Sequence, residues 1–315
     1  MNNITSSKLL AHLDRVVGDR RPITADVFLD NFCNNRCDYC LYRNLPADEA
    51  RSMSFEDFKR YAVRMTELGV QGIILSGGGE PSISKDFDKI TAWLDENGYK
   101  WGVNTNFVRY FEAHPQYLKV SLDAWDRESY IADRKVDAYE QVRENIWRYA
   151  DVKGETKLGI QMVAKNEFDV YRFHEANAML PVDYINIRPV ESTDGEYYSK
   201  ALGKEFKPKN IIKAIRYLQS CDDRVVLNYK WDMRDARVSE CYAQWSQLAL
   251  NEKGEVMYCC HKPEMIVGHI MDADILEKKS RAVPDMGTCY VPCRLSAPNQ
   301  IMAQINSQQT NIEFI

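Results

Sequence analysis

The alternation of strand-like and helix-like segments constrains this 315-residue chain most. The predicted strands are Thr24–Asp30, Gln71–Ser76, Tyr99–Asn104, Tyr117–Leu122, Lys157–Val163 and Asp183–Ile187. The predicted helices are Ser54–Gly69, Asp86–Asn97, Ala138–Asp151, Glu167–Ala178 and Asn210–Cys221. Strands followed by helices form parallel sheets with right-handed crossovers. Six strands in about 165 residues predict an α/β fold with a partial (β/α)6 TIM-like barrel rather than a closed eight-stranded one.

Three cysteines, Cys33, Cys37 and Cys40, follow the first predicted strand. Their spacing, C-x-x-x-C-x-x-C, is typical of cysteines that bind an iron–sulfur cluster. Three thiolates hold three irons of a [4Fe–4S] cube and leave the fourth iron open to a small molecule. A zinc knuckle is the alternative, but zinc usually takes four closed ligands, and no further Cys or His follows within a few residues of Cys40.

Composition excludes several other classes. The net charge is −5, from 41 basic and 46 acidic residues, and no block of Lys and Arg indicates a nucleic-acid partner. No apolar run approaches the length of a membrane span, and the N-terminus lacks the apolar core of a signal peptide. Nine cysteines without an export signal indicate metal ligands and thiols rather than disulfides. We therefore expect a cytoplasmic protein.

Polar segments follow the later strands, at the end of the sheet where barrel enzymes place their chemistry. Gly78, Gly79 and Glu80 follow the second strand, and glycines allow a ligand to approach the backbone closely. A tight turn is the alternative for that glycine run. Asn104 ends the third strand, and Ser121 ends the fourth.

Together with the cysteine loop, these segments resemble the radical S-adenosylmethionine (SAM) superfamily over about residues 24–190. In that superfamily the open iron binds the amino and carboxylate groups of SAM. Reduction then cleaves SAM to methionine and a 5′-deoxyadenosyl radical, which removes a hydrogen atom from the substrate. The resemblance implies the following SAM-binding residues: Gly78, Gly79, Glu80, Asn104, Ser121, Asp123 and Arg134. Ser121 and Arg134 would serve the SAM carboxylate, and Phe107 stands where the family usually has glycine.

A second set of cysteines comprises Cys241, Cys259, Cys289 and Cys293. A hairpin predicted around residues 251–254 brings the first two together. By number alone, four thiolates close a [4Fe–4S] cluster or a zinc site equally well. The spacing resembles the auxiliary-cluster "twitch" domain, the half-size relative of the SPASM domain, which implies that Cys259 is a ligand.

Cys260 and Cys221 are left over from both cysteine sets. A small buried thiol is the ordinary interpretation of each. The sharper hypothesis makes Cys260 a hydrogen-atom donor to a substrate radical.

The sequence therefore predicts three parts: an N-terminal extension (residues 1–23), a radical SAM partial barrel (24–209), and a linker helix with a cysteine-rich α+β module (210–315). The predicted cofactors are two [4Fe–4S] clusters and SAM, with a flavodoxin- or ferredoxin-type electron donor. The predicted reaction is oxidation, by dehydrogenation or epimerisation, of a small polar, sugar-like substrate. The alternatives are a peptide-modifying enzyme that forms a thioether or another crosslink, and a non-catalytic zinc or iron–sulfur protein.

Overall fold

The computed structural model describes residues 18, 20–42, 49–190, 208–228, 231, 240–289, 293, 299 and 303. Most of the predicted N-terminal extension and the connection 191–207 lie outside this part. Ten strands of the described residues form a single sheet. The strands are β1 (Thr24–Val27), β2 (Gly72–Leu75), β3 (Trp101–Thr105), β4 (Tyr117–Ser121), β5 (Lys157–Ala164), β6 (Tyr184–Pro189), β7 (Val225–Leu227), β8 (Gln247–Leu250), β9 (Glu255–Met257) and β10 (Ile266–His269).

The order across the sheet is β10–β9–β8–β1–β2–β3–β4–β5–β6–β7. Every neighbouring pair from β8 to β7 is parallel. The hairpin strand β9 and the edge strand β10 run antiparallel to their neighbours. The six predicted strands are confirmed as β1 to β6, in the order of a partial barrel. Sequence reasoning missed β7, and it missed the parallel pairing of β8 with β1.

Seven helices of the described part accompany the sheet. They are α1 (Phe55–Glu67), α2 (Phe87–Glu96), α3 (Arg127–Arg134), α4 (Tyr139–Val152), α5 (Glu167–Asn177), α6 (Pro208–Cys221) and α7 (Ile275–Arg281). The predicted start of α1 is confirmed, because the Ser54 hydroxyl accepts a hydrogen bond from the backbone N–H of Asp57. The short helix α3 was missed. Asp126 and Ser129 cap its start reciprocally, and it ends at Lys135, which has a φ of 61°.

Strand β4 buries one face and leaves the other partly open. In β4, Leu118 and Val120 are fully buried in a hydrophobic cluster that also contains residues of the helices. Full burial of such a side chain contributes roughly 1.5–3 kcal/mol. Lys119 and Ser121 of the same strand lie on the opposite, half-buried face. The buried face thus carries the helices, and the polar inner face is left for a ligand.

Two tyrosines fill the inner face near the amino ends of the strands. Gly102 of β3 pairs with Tyr117 of β4, and Gly159 of β5 pairs with Tyr184 of β6. A Cβ atom on either glycine would lie 2.1 Å from the ring of the paired tyrosine. The glycines therefore make room for the two rings, which close this end of the barrel interior.

The C-terminal elements are attached to the barrel through shared structure. The β8–β9 hairpin continues the main sheet next to β1. On the outside, the hydroxyl of Tyr61 in α1 donates to the carbonyl oxygen of Lys253 at 3.3 Å and lies 3.3 Å from Nε2 of His269. These contacts hold the predicted cysteine-rich module against the first helix.

Candidate active site

The loop with Cys33, Cys37 and Cys40 lies at the carboxyl end of the parallel strands, directly after β1. Cys33 and Cys40 are exposed, and Cys37 is buried. Backbone hydrogen bonds fix the loop: the N–H of Arg36 donates to the carbonyl oxygen of Arg134 at 3.0 Å, and the N–H of Cys40 to that of Cys37 at 3.2 Å. Three thiols on one short loop, two of them at the surface, suit a cluster with one open iron.

The glycine-rich turn after β2 packs against the segment that leads into this loop. A Cβ atom on Gly79 would lie 1.7 Å from the carbonyl oxygen of Phe32, and one on Gly78 would lie 2.6 Å from that of Asp30. The N–H of Glu80 donates to the Phe32 carbonyl oxygen at 3.0 Å. We predicted that these glycines admit a ligand. The structure shows that they first admit the neighbouring backbone, which sets the position of Cys33.

The carboxylate of Glu80 joins the turn after β2 to the end of β3. Oε1 accepts from the N–H and hydroxyl of Ser82 and from the hydroxyl of Thr105, and Oε2 accepts from the N–H of Asn106 at 2.6 Å. Burial raises the pKa of Glu80, and these donors oppose the rise. Since four donors occupy the carboxylate, it acts as a brace, and the predicted contact with SAM falls to the backbone.

Asn106 connects this brace to the cysteine loop. Its Nδ2 donates to Oδ1 of Asn34 at 2.6 Å and lies 3.8 Å from Sγ of Cys33. Sequence reasoning selected Asn104 and missed Asn106. Asn104 lies on the inner face of β3, and its Oδ1 is buried without a hydrogen-bond partner among the described residues.

Phe107 occupies the position where the family usually has glycine. Its φ is 57°, in the left-handed region that favours glycine. This conformation costs about 1–2 kcal/mol for a residue with a side chain. The Phe107 ring is fully buried against Phe111 and Tyr149, and burial of a Phe returns roughly 1.5–3 kcal/mol. The glycine-like backbone shape is therefore retained.

A buried ion pair holds the other side of the cysteine loop. Arg134, at the end of α3, pairs with Asp123, which follows β4, and both side chains are less than a tenth exposed. Asp123 also accepts from the Tyr39 hydroxyl at 2.9 Å and from the N–H of Val163 at 2.6 Å. The pair thereby connects the cysteine loop, α3 and β5.

The guanidinium of Arg134 reaches the cysteine loop directly. Nη1 donates to Sγ of Cys37 at 3.3 Å, and Nη2 donates to the carbonyl oxygen of Ser121. Burial raises the pKa of the Cys37 thiol, and the Arg134 charge opposes that rise, which favours the thiolate that a metal requires. The predicted contact of Arg134 with the SAM carboxylate stays a prediction. The Arg134 Nε, buried and without a hydrogen-bond partner in the described part, remains available for one bond.

Polar side chains continue across the inner face from Ser121. Ser121 pairs in register with Gln161, and Gln161 with Asn186. Nδ2 of Asn186 donates to Oε1 of Gln161 at 3.0 Å, and Nδ2 of Asn228 donates to Oδ1 of Asn186 at 3.2 Å. Arg188 lies one step nearer the carboxyl end of β6, where burial lowers its pKa and Asp123 opposes that effect. Arg134 links this polar row to the cysteine loop, because it donates both to the Ser121 carbonyl oxygen and to Sγ of Cys37.

The four cysteines of the second set line one small pocket. Its other lining residues include Tyr258, His261 and Lys262. No three His, Cys, Asp or Glu side chains of the described residues converge closely enough to hold a single metal ion. The four thiols therefore border an opening, and as a donor set they fit either group predicted from the sequence.

Cys260 lies outside that pocket lining. It is buried in a small apolar cluster with Phe28, Ala249 and Met257, and its carbonyl oxygen accepts from the Tyr42 hydroxyl at 2.8 Å. Tyr42 follows the cysteine loop by two residues, so Cys260 lies between the two cysteine sets. Cys221 is exposed at the end of α6. The proposed hydrogen-donor role of Cys260 stays a prediction.

Comparison with known families matches residues 28–175 to the Radical SAM superfamily. This stretch contains the cysteine loop, the glycine turn and the Asp123–Arg134 pair. This part of the chain is a Radical SAM superfamily domain. SAM and one [4Fe–4S] cluster are the cofactors that this superfamily membership supports.

Among curated relatives, GTP 3′,8-cyclase of Staphylococcus carnosus (strain TM300) is 30% identical over 198 residues, which cover 55% of this chain and 56% of that protein. GTP 3′,8-cyclase of Pectobacterium atrosepticum is 28% identical over 175 residues, which cover 52% of this chain and 51% of that protein. The chain thus spans about half the length of the curated relatives it matches.

Solved structures share the fold at low identity. AdoMet-bound anSMEcpe superposes with a TM-score of 0.61 at 16% identity, covering 87% of this chain and 84% of that one. Streptococcus suis SuiB bound to the precursor peptide SuiA superposes with a TM-score of 0.58 at 14% identity, covering 82% of this chain and 65% of that one. Across the described residues, no helix has the length and apolar character that crossing a bilayer requires.

Proposed function

We propose that this enzyme cleaves SAM reductively and uses the resulting radical to take a hydrogen atom from a small polar substrate. The observation that supports this most is that the polar row Ser121–Gln161–Asn186 begins beside the cysteine loop: Arg134 donates both to the carbonyl oxygen of Ser121 and to Sγ of Cys37. A bound [4Fe–4S] cluster supplies the electron and the open iron site for SAM. The protein residues then hold SAM, hold the substrate and exclude competing reactions.

The glycine turn after β2 and the Asp123–Arg134 ion pair would bind and orient SAM. The backbone of Gly78, Gly79 and Glu80 offers the groups for the SAM amine, on a turn that Glu80 holds rigid through the end of β3. Ser121 and Arg134 would bind the SAM carboxylate, and Asp123 keeps the guanidinium in place. Asn104 has a buried acceptor on the inner face, suited to a donor on SAM or the substrate.

The second cysteine set would hold an auxiliary [4Fe–4S] cluster. Cys241, Cys259, Cys289 and Cys293 line one pocket although they come from widely separated segments. Four thiolates can hold a cube or a zinc ion, and the resemblance of the cysteine spacing to the twitch domain favours the cube. A closed site of four thiolates serves electron transfer or structure, in keeping with oxidation of the substrate.

The substrate would be a polar molecule that carries a sugar-like group. Gln161, Asn186 and Asn228 offer amide donors and acceptors suited to hydroxyl groups. The relatives named GTP 3′,8-cyclase make a nucleotide a further candidate, because GTP carries a ribose. The peptide-bound SuiB structure shares only the fold at 14% identity, so it gives a peptide substrate less support.

The test is substrate-stimulated SAM cleavage. Reconstituted, reduced protein should form 5′-deoxyadenosine slowly alone and at least tenfold faster with a correct substrate; ribonucleoside triphosphates, aminocyclitols and peptides are the panel. Gln161→Leu should remove the stimulation and keep the basal rate, whereas exposed Glu96→Gln should change neither. Stimulation by peptides alone would refute the polar small-molecule substrate, and no 5′-deoxyadenosine under any condition would refute radical chemistry.

A further inference from the structure

The side chain of Lys279 is buried next to the second cysteine set. Lys279 lies in the last turns of α7 and is 1% exposed. Its Nζ donates to the carbonyl oxygen of Tyr258, the residue before Cys259, and lies 5.3 Å from the centroid of the Tyr258 ring. Lysine is almost never fully buried unless a negative group accompanies it.

The described residues provide no carboxylate for Lys279. The preceding Lys278, by contrast, is 42% exposed and pairs with Asp272 at 2.7 Å and Asp274 at 3.2 Å. Lys262, which lines the thiol pocket, is 3.9 Å from Glu264. A buried ammonium without an opposite charge is strongly destabilising. An anion beside Lys279 would compensate the charge of the buried ammonium.

The groups that face Lys279 electrostatically are thiols. Burial lowers the pKa of Lys279 to about 8, and Cys259, Cys241 and Cys260 oppose that effect. As neutral thiols they give little compensation. As thiolates that bind a metal centre, Cys241 and Cys259 would contribute to a buried negative charge beside the ammonium.

We propose that Lys279 is the buried counter-charge of the auxiliary centre and sets its reduction potential. This inference rests on the proposed auxiliary cluster. Four thiolates give a [4Fe–4S] centre a net negative charge, and one electron accepted from the external donor makes that charge more negative by one. A nearby buried cation interacts more favourably with the reduced state, so Lys279 raises the potential. Lys279 would thus affect the reaction only through the cluster, without touching SAM or the substrate.

The test isolates the auxiliary cluster in a Cys33/Cys37/Cys40→Ala background. Lys279→Met keeps the length and apolar fit of the side chain, and Lys278→Met removes an exposed charge one residue away as the control. Electron paramagnetic resonance during a redox titration should show a potential lowered in Lys279→Met only. We expect at least a tenfold shift in the reduction equilibrium, about 59 mV for one electron. Equal potentials in both variants would overturn the inference.

The iron content of the Cys33/Cys37/Cys40→Ala protein tests the auxiliary cluster independently of the role proposed for Lys279. About four irons per chain in the background protein support the auxiliary cluster whatever Lys279 does. A background protein without iron at these thiols overturns both statements.

If the Lys279→Met protein does not retain the cluster, its potential cannot be measured, and the melting temperature of a cluster-free protein provides the test instead. In a Cys241/Cys259→Ala protein the ammonium has lost its anions, so adding Lys279→Met should raise the melting temperature. A lower melting temperature in that background would show that Lys279 is needed for packing alone and would overturn the inference.

Discussion

The two cysteine sites are built in opposite ways. The first takes its three thiols from Cys33, Cys37 and Cys40, and backbone contacts with the turn after β2 and with Arg134 shape the loop. The second collects its thiols from residues 241, 259, 289 and 293, which meet only because the hairpin and the following segments fold together. A local site can lose its metal and keep its shape, whereas metal at a dispersed site also links distant chain segments.

The two sites also differ in whether the buried cation beside the thiols has a carboxylate partner. At the first site the cation beside Cys37 is Arg134, and Asp123 balances it. At the second site Lys279 has no such carboxylate among the described residues. Among the described residues the cation of the first site is therefore balanced by a protein carboxylate, whereas the balance at the second site would come from the proposed metal centre.

The largest expected effect is that of Cys37→Ala. It removes a buried ligand of the first cluster, so reductive SAM cleavage should fall below detection. Iron and sulfide should drop from about eight to about four per chain, with the auxiliary cluster retained, since each cube holds four. Anaerobic iron analysis and chromatography of 5′-deoxyadenosine measure both. Persistent SAM cleavage would remove the first site from the chemistry.

Gly79→Ala should come next. Its Cβ would lie 1.7 Å from the Phe32 carbonyl oxygen, so the backbone before Cys33 must move. We expect at least a tenfold loss of SAM cleavage and about 1–3 kcal/mol of stability.

Gly98→Ala is the control for this change, because Gly98 has a φ of 68° but no atom lies within 4 Å of the place that its Cβ would take. It should cost only about 1 kcal/mol and leave SAM cleavage intact. Equal losses of SAM cleavage in both variants would mean that the close approach at Gly79 does not shape the first site.

Cys259→Ser and Cys260→Ser compare neighbouring thiols at the second site. Cys259 lines the thiol pocket, and Cys260 packs against Phe28 and Met257. Cys259→Ser should lose about four irons and become less soluble, because the metal no longer joins its segments. Cys260→Ser should keep about eight irons. The reverse pattern would shift the ligand register by one residue.

The smallest effect concerns the pH dependence of stability at Asp30, whose carbonyl oxygen lies beneath Gly78. Burial raises its pKa from 3.8 to about 6, so the folded state holds this proton more tightly than the unfolded chain. The cost of the buried carboxylate is full above pH 6 and disappears as the pH falls towards 4. Asp30→Asn should therefore stabilise the metal-free protein by about 1–3 kcal/mol at pH 7.5.

That gain should shrink at pH 5, as followed by urea unfolding at both pH values. Exposed Glu96→Gln should show no such difference. A constant gain at both pH values would contradict the raised pKa.

The sequence predicted what local patterns specify. The first six strands and the start of α1 follow apolar runs and a Ser54 cap that can be read within a few residues. It missed β7, because the three residues Val225–Leu227 are too few to show a period. It also missed α3, whose 8 residues are fewer than the window over which apolar periodicity is read and whose start depends on the Asp126–Ser129 cap.

Contacts between distant residues were the other gap. The resemblance supplied Glu80, Asp123 and Arg134, but not the fact that Glu80 bonds to Thr105 and Asn106 or that Asp123 pairs with Arg134. Such partners are set by the register between strands, which no single segment encodes. The buried lysine of α7 likewise has an ordinary surface sequence around it, and only the packing of that helix shows where its side chain lies.

The pairing of β1 with β8 has a consequence for the newly made chain. Thr24 pairs with Gln247, so the outer edge of β1 stays open until β8 has been synthesised, more than 200 residues later. At about 5–20 residues per second, that interval lasts on the order of ten seconds or more. An open parallel edge is a template for pairing with other chains. The nascent protein would therefore benefit from a chaperone during this interval, and a chain shortened before residue 247 should aggregate.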